Sequence, residues 1–110
     1  MPPKNGMRAI HPGELLSEEL EALELSAEEL DELLAVPYGT VAAIVGEKRG
    51  IDAEFALRLS RYLGAGERLW MNLQVSYDLK MAEQKVGVRI KNQIRPRADL
   101  PEFLEGWDVD

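Results

Sequence analysis

The chain has 110 residues, 45% of them apolar and 30% charged, with a net charge of −7 and no cysteine. A chain of this length buries one core and not two, and the balance is that of a folded globular protein. The lack of cysteine excludes a disulfide framework, thiolate chemistry and the zinc sites that depend on thiolates.

No apolar run approaches the ~20 residues needed to span a bilayer, and the opening Met-Pro-Pro-Lys-Asn-Gly lacks the apolar stretch of a secretory signal. The cytoplasm is the expected location, with no membrane partner. Charge is unevenly spread. Residues 14–32 hold nine acidic side chains and no basic one. Residues 80–97 reverse the sign, with Lys80, Lys85, Arg89, Lys91, Arg95 and Arg97 against Glu83, and residues 99–110 are acidic again. An acidic whole argues against unselective nucleic-acid binding, which rests on phosphate neutralisation. The basic stretch could hold nucleic acid or pair with the acidic segments, within the chain or across a dimer.

The first helix opens near Pro12, since proline suits a first-turn position, and Leu16, Leu20 and Leu23 follow at helical spacing. Ser26 with Glu29 reads as a capping box starting a second helix, whose apolar face is Leu30, Leu33 and Leu34 and which Val36-Pro37 ends. A short third helix, residues 38–45, is closed by Gly46. Asp52 caps a fourth, with Phe55, Ala56, Leu59, Tyr62 and Leu63 on one face and Gly64 as its stop. A fifth starts at residues 65–67, with Trp70, Leu73, Tyr77 and Met81 on one stripe. A second series (Leu79, Ala82, Val86, Ile90, Ile94) extends the helical spacing almost to Pro96. Val86, Val88 and Ile90 also alternate as a strand would, and Gly87 costs a helix interior about 0.5–1 kcal/mol. The longer series favours a continuous or slightly broken helix. Phe103, Leu104 and Trp107 give the remaining segment enough apolar surface to dock. The expected core is Leu16, Leu20, Leu30, Leu34, Val41, Ile44, Leu59, Leu63, Leu73 and Tyr77.

Chemistry is not in view. His11 is the only histidine and has no Ser, Cys or Asp constellation around it, so it reads as a helix-start residue. No Asp-x-Asp-x-Asp-Gly loop accompanies the acidic stretch, which reads as a solvated face. No enzyme activity, cofactor or metal is expected.

Several motifs together resemble the HigA/VapI antitoxins, an XRE-like helix-turn-helix family. They are Ile10-His11-Pro12-Gly13-Glu14, Ser26 opening a short helix pair, Lys48-Arg49-Gly50-Ile51, Ala56-Leu57-Arg58-Leu59, and Trp70-Met71-Asn72-Leu73-Gln74 with Tyr77-Asp78-Leu79. The match spans residues 10–83. It implies an all-α, five-helix, lambda-repressor-like helix-turn-helix domain at 10–84, preceded by an arm at 1–9 and followed by a C-terminal extension at 85–110. It also implies a homodimer that binds operator DNA and neutralises a ribonuclease toxin.

The helix-turn-helix departs from its family pattern. Asp31 stands where a small alanine is usual, Ala35 where the turn usually has glycine, and Gly46-Glu47 where Asn-Gly usually ends the reading helix. Val41 and Ile44 remain as its buried anchors, leaving Tyr38, Gly39, Thr40, Ala42, Ala43 and Gly46 to face outward. Only Thr40 among them is a strong polar reader of base edges, although alanine can touch a thymine methyl. Asp31 and Glu47 are expected to set negative charge where operator phosphates approach, with Glu28 and Glu29 at the start of the second helix. Two readings follow. In one, Tyr38, Gly39, Thr40, Ala43, Lys48 and Arg49 meet operator DNA, and bind it weakly. In the other, natural or engineered, Asp31, Glu32, Leu33, Tyr38, Ala42 and Glu47 form an acidic and apolar surface for a basic protein partner, an aromatic anchor in a charged rim.

Overall fold

The computed structural model describes residues 8–97, and among them the chain is entirely helical. Five helices follow in order: α1 (Pro12–Leu23), α2 (Ala27–Leu34), α3 (Thr40–Val45), α4 (Ala53–Leu63) and α5 (Glu67–Gln93). The local signals explain their starts. The His11 ring accepts a hydrogen bond from the Gly13 N–H through Nδ1 at 2.9 Å, ahead of Pro12. Ser26 and Glu29 close the expected capping box, at 3.0 and 2.8 Å. The Asp52 carboxylate accepts from the Phe55 N–H at 2.8 Å.

The core joins Leu16 and Leu20 of α1, Leu30 and Leu34 of α2, Val41 and Ile44 of α3, Ile51, Phe55, Ala56 and Leu59 around α4, and Trp70 of α5. Helix α3 packs on α1 and α2, while α4 packs on α5. At Gly13 the chains approach so closely that a Cβ would overlap the Ile44 carbonyl, which is why α1 opens on glycine there. Leu63 and Leu73 line the rim of the core as expected. Tyr77 is half-buried, its ring edge-on to His11 at 4.8 Å.

Three expectations of burial are corrected. Leu23, Tyr62 and Met81 share helical spacing with core residues, yet all three are exposed. Leu23 is the last residue of α1, and Met81 lies eight residues past Leu73, the last residue of α5 packed on the core.

Helix α5 is continuous to Gln93, with no strand at residues 86–90, and Gly87 lies within it. The division between residues 84 and 85 therefore falls inside one helix. Only Trp70 of α5 is fully buried. Leu79, Val88, Ile90 and Ile94 are exposed, and beyond Tyr77 α5 carries its apolar residues on the surface. The anticipated docking of Phe103, Leu104 and Trp107 lies outside the described residues, as does most of the arm. No described helix is long and apolar enough to cross a membrane.

Candidate nucleic-acid interface

Helices α2 and α3, joined by residues 35–39, form the helix-turn-helix. Helix α2 ends in a turn where the Val36 N–H reaches back to the Asp31 carbonyl and the Ala35 N–H to Glu32. That geometry needs a left-handed residue, and Ala35 supplies it at φ 57°. Glycine would fit without strain, so the departure read at this position is real and costs stability. Two other turns share the device. Glu24 closes α1 at φ 59°, and Glu47 follows α3 at φ 61°. Gly46 keeps an ordinary right-handed backbone, so the conformation that favours glycine falls one residue later, on Glu47.

Asp31 is the largest correction. It was expected to present charge to phosphates or to a basic partner, but it is 3% exposed. Its carboxylate accepts from the Gly39 N–H at 2.8 Å and from the Val41 N–H at 2.9 Å. Gly39, the residue that caps α3, has no side chain to satisfy those donors. Asp31 therefore does from α2 what an N-cap side chain does locally. A buried carboxylate is tolerable because two backbone donors and the positive end of α3 meet it. It fixes the reading helix on α2 and leaves the surface.

Thr40 is corrected in the same sense. It is buried, and its hydroxyl donates to the Pro37 carbonyl at 2.7 Å. The one polar reader assigned to α3 is spent within the turn. Gly39 and Ala43 are half-buried, so the outward residues are Tyr38, at 84% exposure, Ala42, Gly46, Glu47, Lys48 and Arg49. Arg49 lies 3.8 Å from Asp52 across exposed surface, a loose pairing that water and salt weaken. Of the protein-face residues, Glu32, Leu33, Tyr38, Ala42 and Glu47 are exposed as expected, and Asp31 is not. Arg8, whose pKa is raised by its hydrogen bond to Glu14, also feels the charge of Glu47. The Arg8 guanidinium in turn holds the Glu14 carboxyl below the usual carboxylate range.

Two side chains that hold this unit were not singled out from sequence. Arg58 reaches from α4 to the last carbonyls of α2, donating to Leu34 at 3.0 Å and Ala35 at 3.3 Å, while Glu54 pairs with it at 2.9 Å. Gln74 on α5 accepts from the Ile51 N–H at 2.7 Å and donates to Asp78 at 2.9 Å, tying the loop after α3 to the long helix. Their only sequence signal was membership of the quoted motifs, because partners 23 or 24 residues away leave no local pattern.

This unit has close counterparts. The virulence-associated protein I of Dichelobacter nodosus is 54% identical over 82 residues, covering 74% of this chain and 76% of the relative. The chain belongs to the HigA/VapI family of helix-turn-helix antitoxins. Its solved members agree in fold. A HigA-family addiction module antidote protein from Coxiella burnetii superposes with a TM-score of 0.80 at 46% identity, covering 83% of this chain and all of that one. The Pseudomonas aeruginosa antitoxin HigA, solved with the higBA promoter, gives 0.78 at 43% identity, covering 81% and 98%. No family model matches the chain. The HigA/VapI relatives are antitoxins and helix-turn-helix regulators.

Proposed function

We propose that this HigA-type chain is the antitoxin of a toxin–antitoxin pair, which binds its own operator as a homodimer and neutralises a ribonuclease toxin. The observation that carries the reading is the buried Asp31 cap: this carboxylate lies inside, bonded to the start of α3, and leaves the DNA face free of its charge. The operator surface is then Tyr38, Ala42, Ala43, Lys48 and Arg49, with apolar contacts in the major groove and phosphates met by the cationic pair. Dimerisation uses Val75, Leu79, Ala82 and Val86. Leu79 lies nine residues after buried Trp70, two and a half helical turns, so this stripe faces away from the core.

The test is titration of the purified full chain against duplex DNA from upstream of its own gene across a salt series. If both protomers use Lys48 and Arg49, about four phosphates are neutralised and affinity falls about 10²-fold between roughly 50 and 200 mM salt. Replacing both residues by alanine flattens that slope. Binding no tighter than to a scrambled duplex would overturn the assignment.

A second reading is supported by one observation, the apolar groove between α2 and α4 lined by Leu33, Leu57 and Tyr62 with Arg61 at its edge. Together with exposed Tyr38, it suits a protein partner, the toxin included. Tyr38→Ala is expected to leave stability within about 0.5 kcal/mol of the parent, because the ring is exposed. If that face grips a protein, the same substitution weakens the complex by roughly 2 kcal/mol or more, read by calorimetry.

A further inference from the structure

The outer half of α5 has no covering element among the described helices, yet it carries a defined surface. Lys80, Glu83, Gln84, Gly87, Val88, Ile90 and Lys91 line a trough of about 540 Å³ along it, two cations against one acid. Gly87 is the one lining residue without a side chain. A Cβ there would meet only the Glu83 side chain of the preceding turn, at 3.2 Å. No turn, positive φ or backbone approach requires glycine at this point, although glycine weakens a helix interior. The missing side chain leaves a gap between Val88 and Ile90, on a stretch where Lys80, Lys85, Arg89 and Lys91 outnumber Glu83. Among the described residues, no carboxylate lies within ion-pairing distance of Lys85, Arg89, Lys91 or Arg95.

The sequence supplies an occupant of matching chemistry. Residues 99–110 carry Asp99, Glu102, Glu105, Asp108 and Asp110 with no Lys or Arg, and place Phe103, Leu104 and Trp107 between them. Residues 80–97 carry six cations against one acid. Reach is ample. The ten residues from Arg97 to Trp107 span up to about 33 Å extended, whereas Gly87 lies about 9 Å back along the helix from Gln93.

We infer that the acidic segment 99–110 of this chain docks back on the outer half of its own α5, an aromatic ring seated over Gly87 and its carboxylates against the flanking cations. This assigns the basic stretch to an intramolecular partner and not to nucleic acid. It is independent of operator binding, which uses α3 and the loop after it.

The full chain permits a direct test, because it has no native cysteine. Glu105→Cys carries a nitroxide label in 15N-enriched chains diluted into an excess of unlabelled protein. The amides of residues 80–91 are expected to lose more than half their intensity, and most of that loss is expected to reverse at high salt. In the crossed sample, with label and 15N on different chains, the same amides stay sharp. Gly87→Ala provides a control with opposed signs: helix thermal stability rises while the broadening falls. Undiminished intensity in the diluted sample overturns the proposal. Broadening confined to the crossed sample also overturns it, in favour of a second copy. A response that survives Gly87→Ala and Trp107→Ala unchanged removes the gap as the seat.

Discussion

Each end of the reading helix has one carboxylate beside it, and the two are held in opposite ways. At the start of α3, Asp31 is buried and hydrogen-bonded to two backbone N–H groups. At its end, Glu47 is exposed, sits in a left-handed backbone and neighbours Lys48 and Arg49. The first stabilises the element that would read DNA. The second strains the backbone and, in the proposed operator reading, opposes phosphate approach. Identical formal charge thus carries contrary consequences, decided by which donors surround it and how much water reaches it.

The largest effect expected from breaking this contrast is at Asp31. Asp31→Ala strands the Gly39 and Val41 N–H groups and should cost about 2–3 kcal/mol in chemical denaturation. It should lower operator affinity too, the reverse of what removing a surface acid would do. Asp31→Asn keeps one acceptor and should lose roughly half as much. A loss under half a kcal/mol for the alanine variant would show that the cap does not hold α3.

At the other end, Glu47→Gly relieves the left-handed strain and should gain about 1 kcal/mol. Operator affinity should rise a few-fold at low salt and less at high salt, as screening predicts. An affinity gain independent of salt would mean that Glu47 acts through shape and not through charge. Ala35→Gly sharpens the comparison by removing strain without touching charge. It should stabilise by roughly 0.5–1 kcal/mol and leave the salt slope of DNA binding unchanged.

The smallest expected effect is pH-dependent. Glu14 is held below the usual carboxylate range by its hydrogen bond to Arg8. Its contribution is therefore fully present above the ordinary carboxylate pKa and is lost as pH falls through the depressed value. Arg8→Ala should lower Tm slightly at neutral pH and not at all in strong acid. Because the pair is largely solvent-exposed, an equal Tm deficit at both pH values would assign the effect to packing.

Much of the architecture was legible in the residues themselves. Ser26 with Glu29, Asp52, and Gly64 mark helix ends by bonds that reach no further than four residues, so spacing alone identifies them. The continuity of α5 through Gly87 followed from the long apolar series, with local glycine cost outweighed. The family followed from motifs spread over residues 10–83. The site was far less legible. Asp31 looked like a misplaced surface charge because its partners lie eight and ten residues on, across a turn whose path no periodicity describes. Thr40 looked like a reader because its bond to Pro37 depends on how that turn closes. Leu33 shares its spacing with Leu30 and Leu34, yet it is half-exposed on the groove between α2 and α4. By itself the sequence determined the helices, their caps and the family, since these rest on bonds within a turn or two. Only the tertiary structure decided which carboxylate is buried and which faces outward, because desolvation and backbone donors from a second helix set that choice.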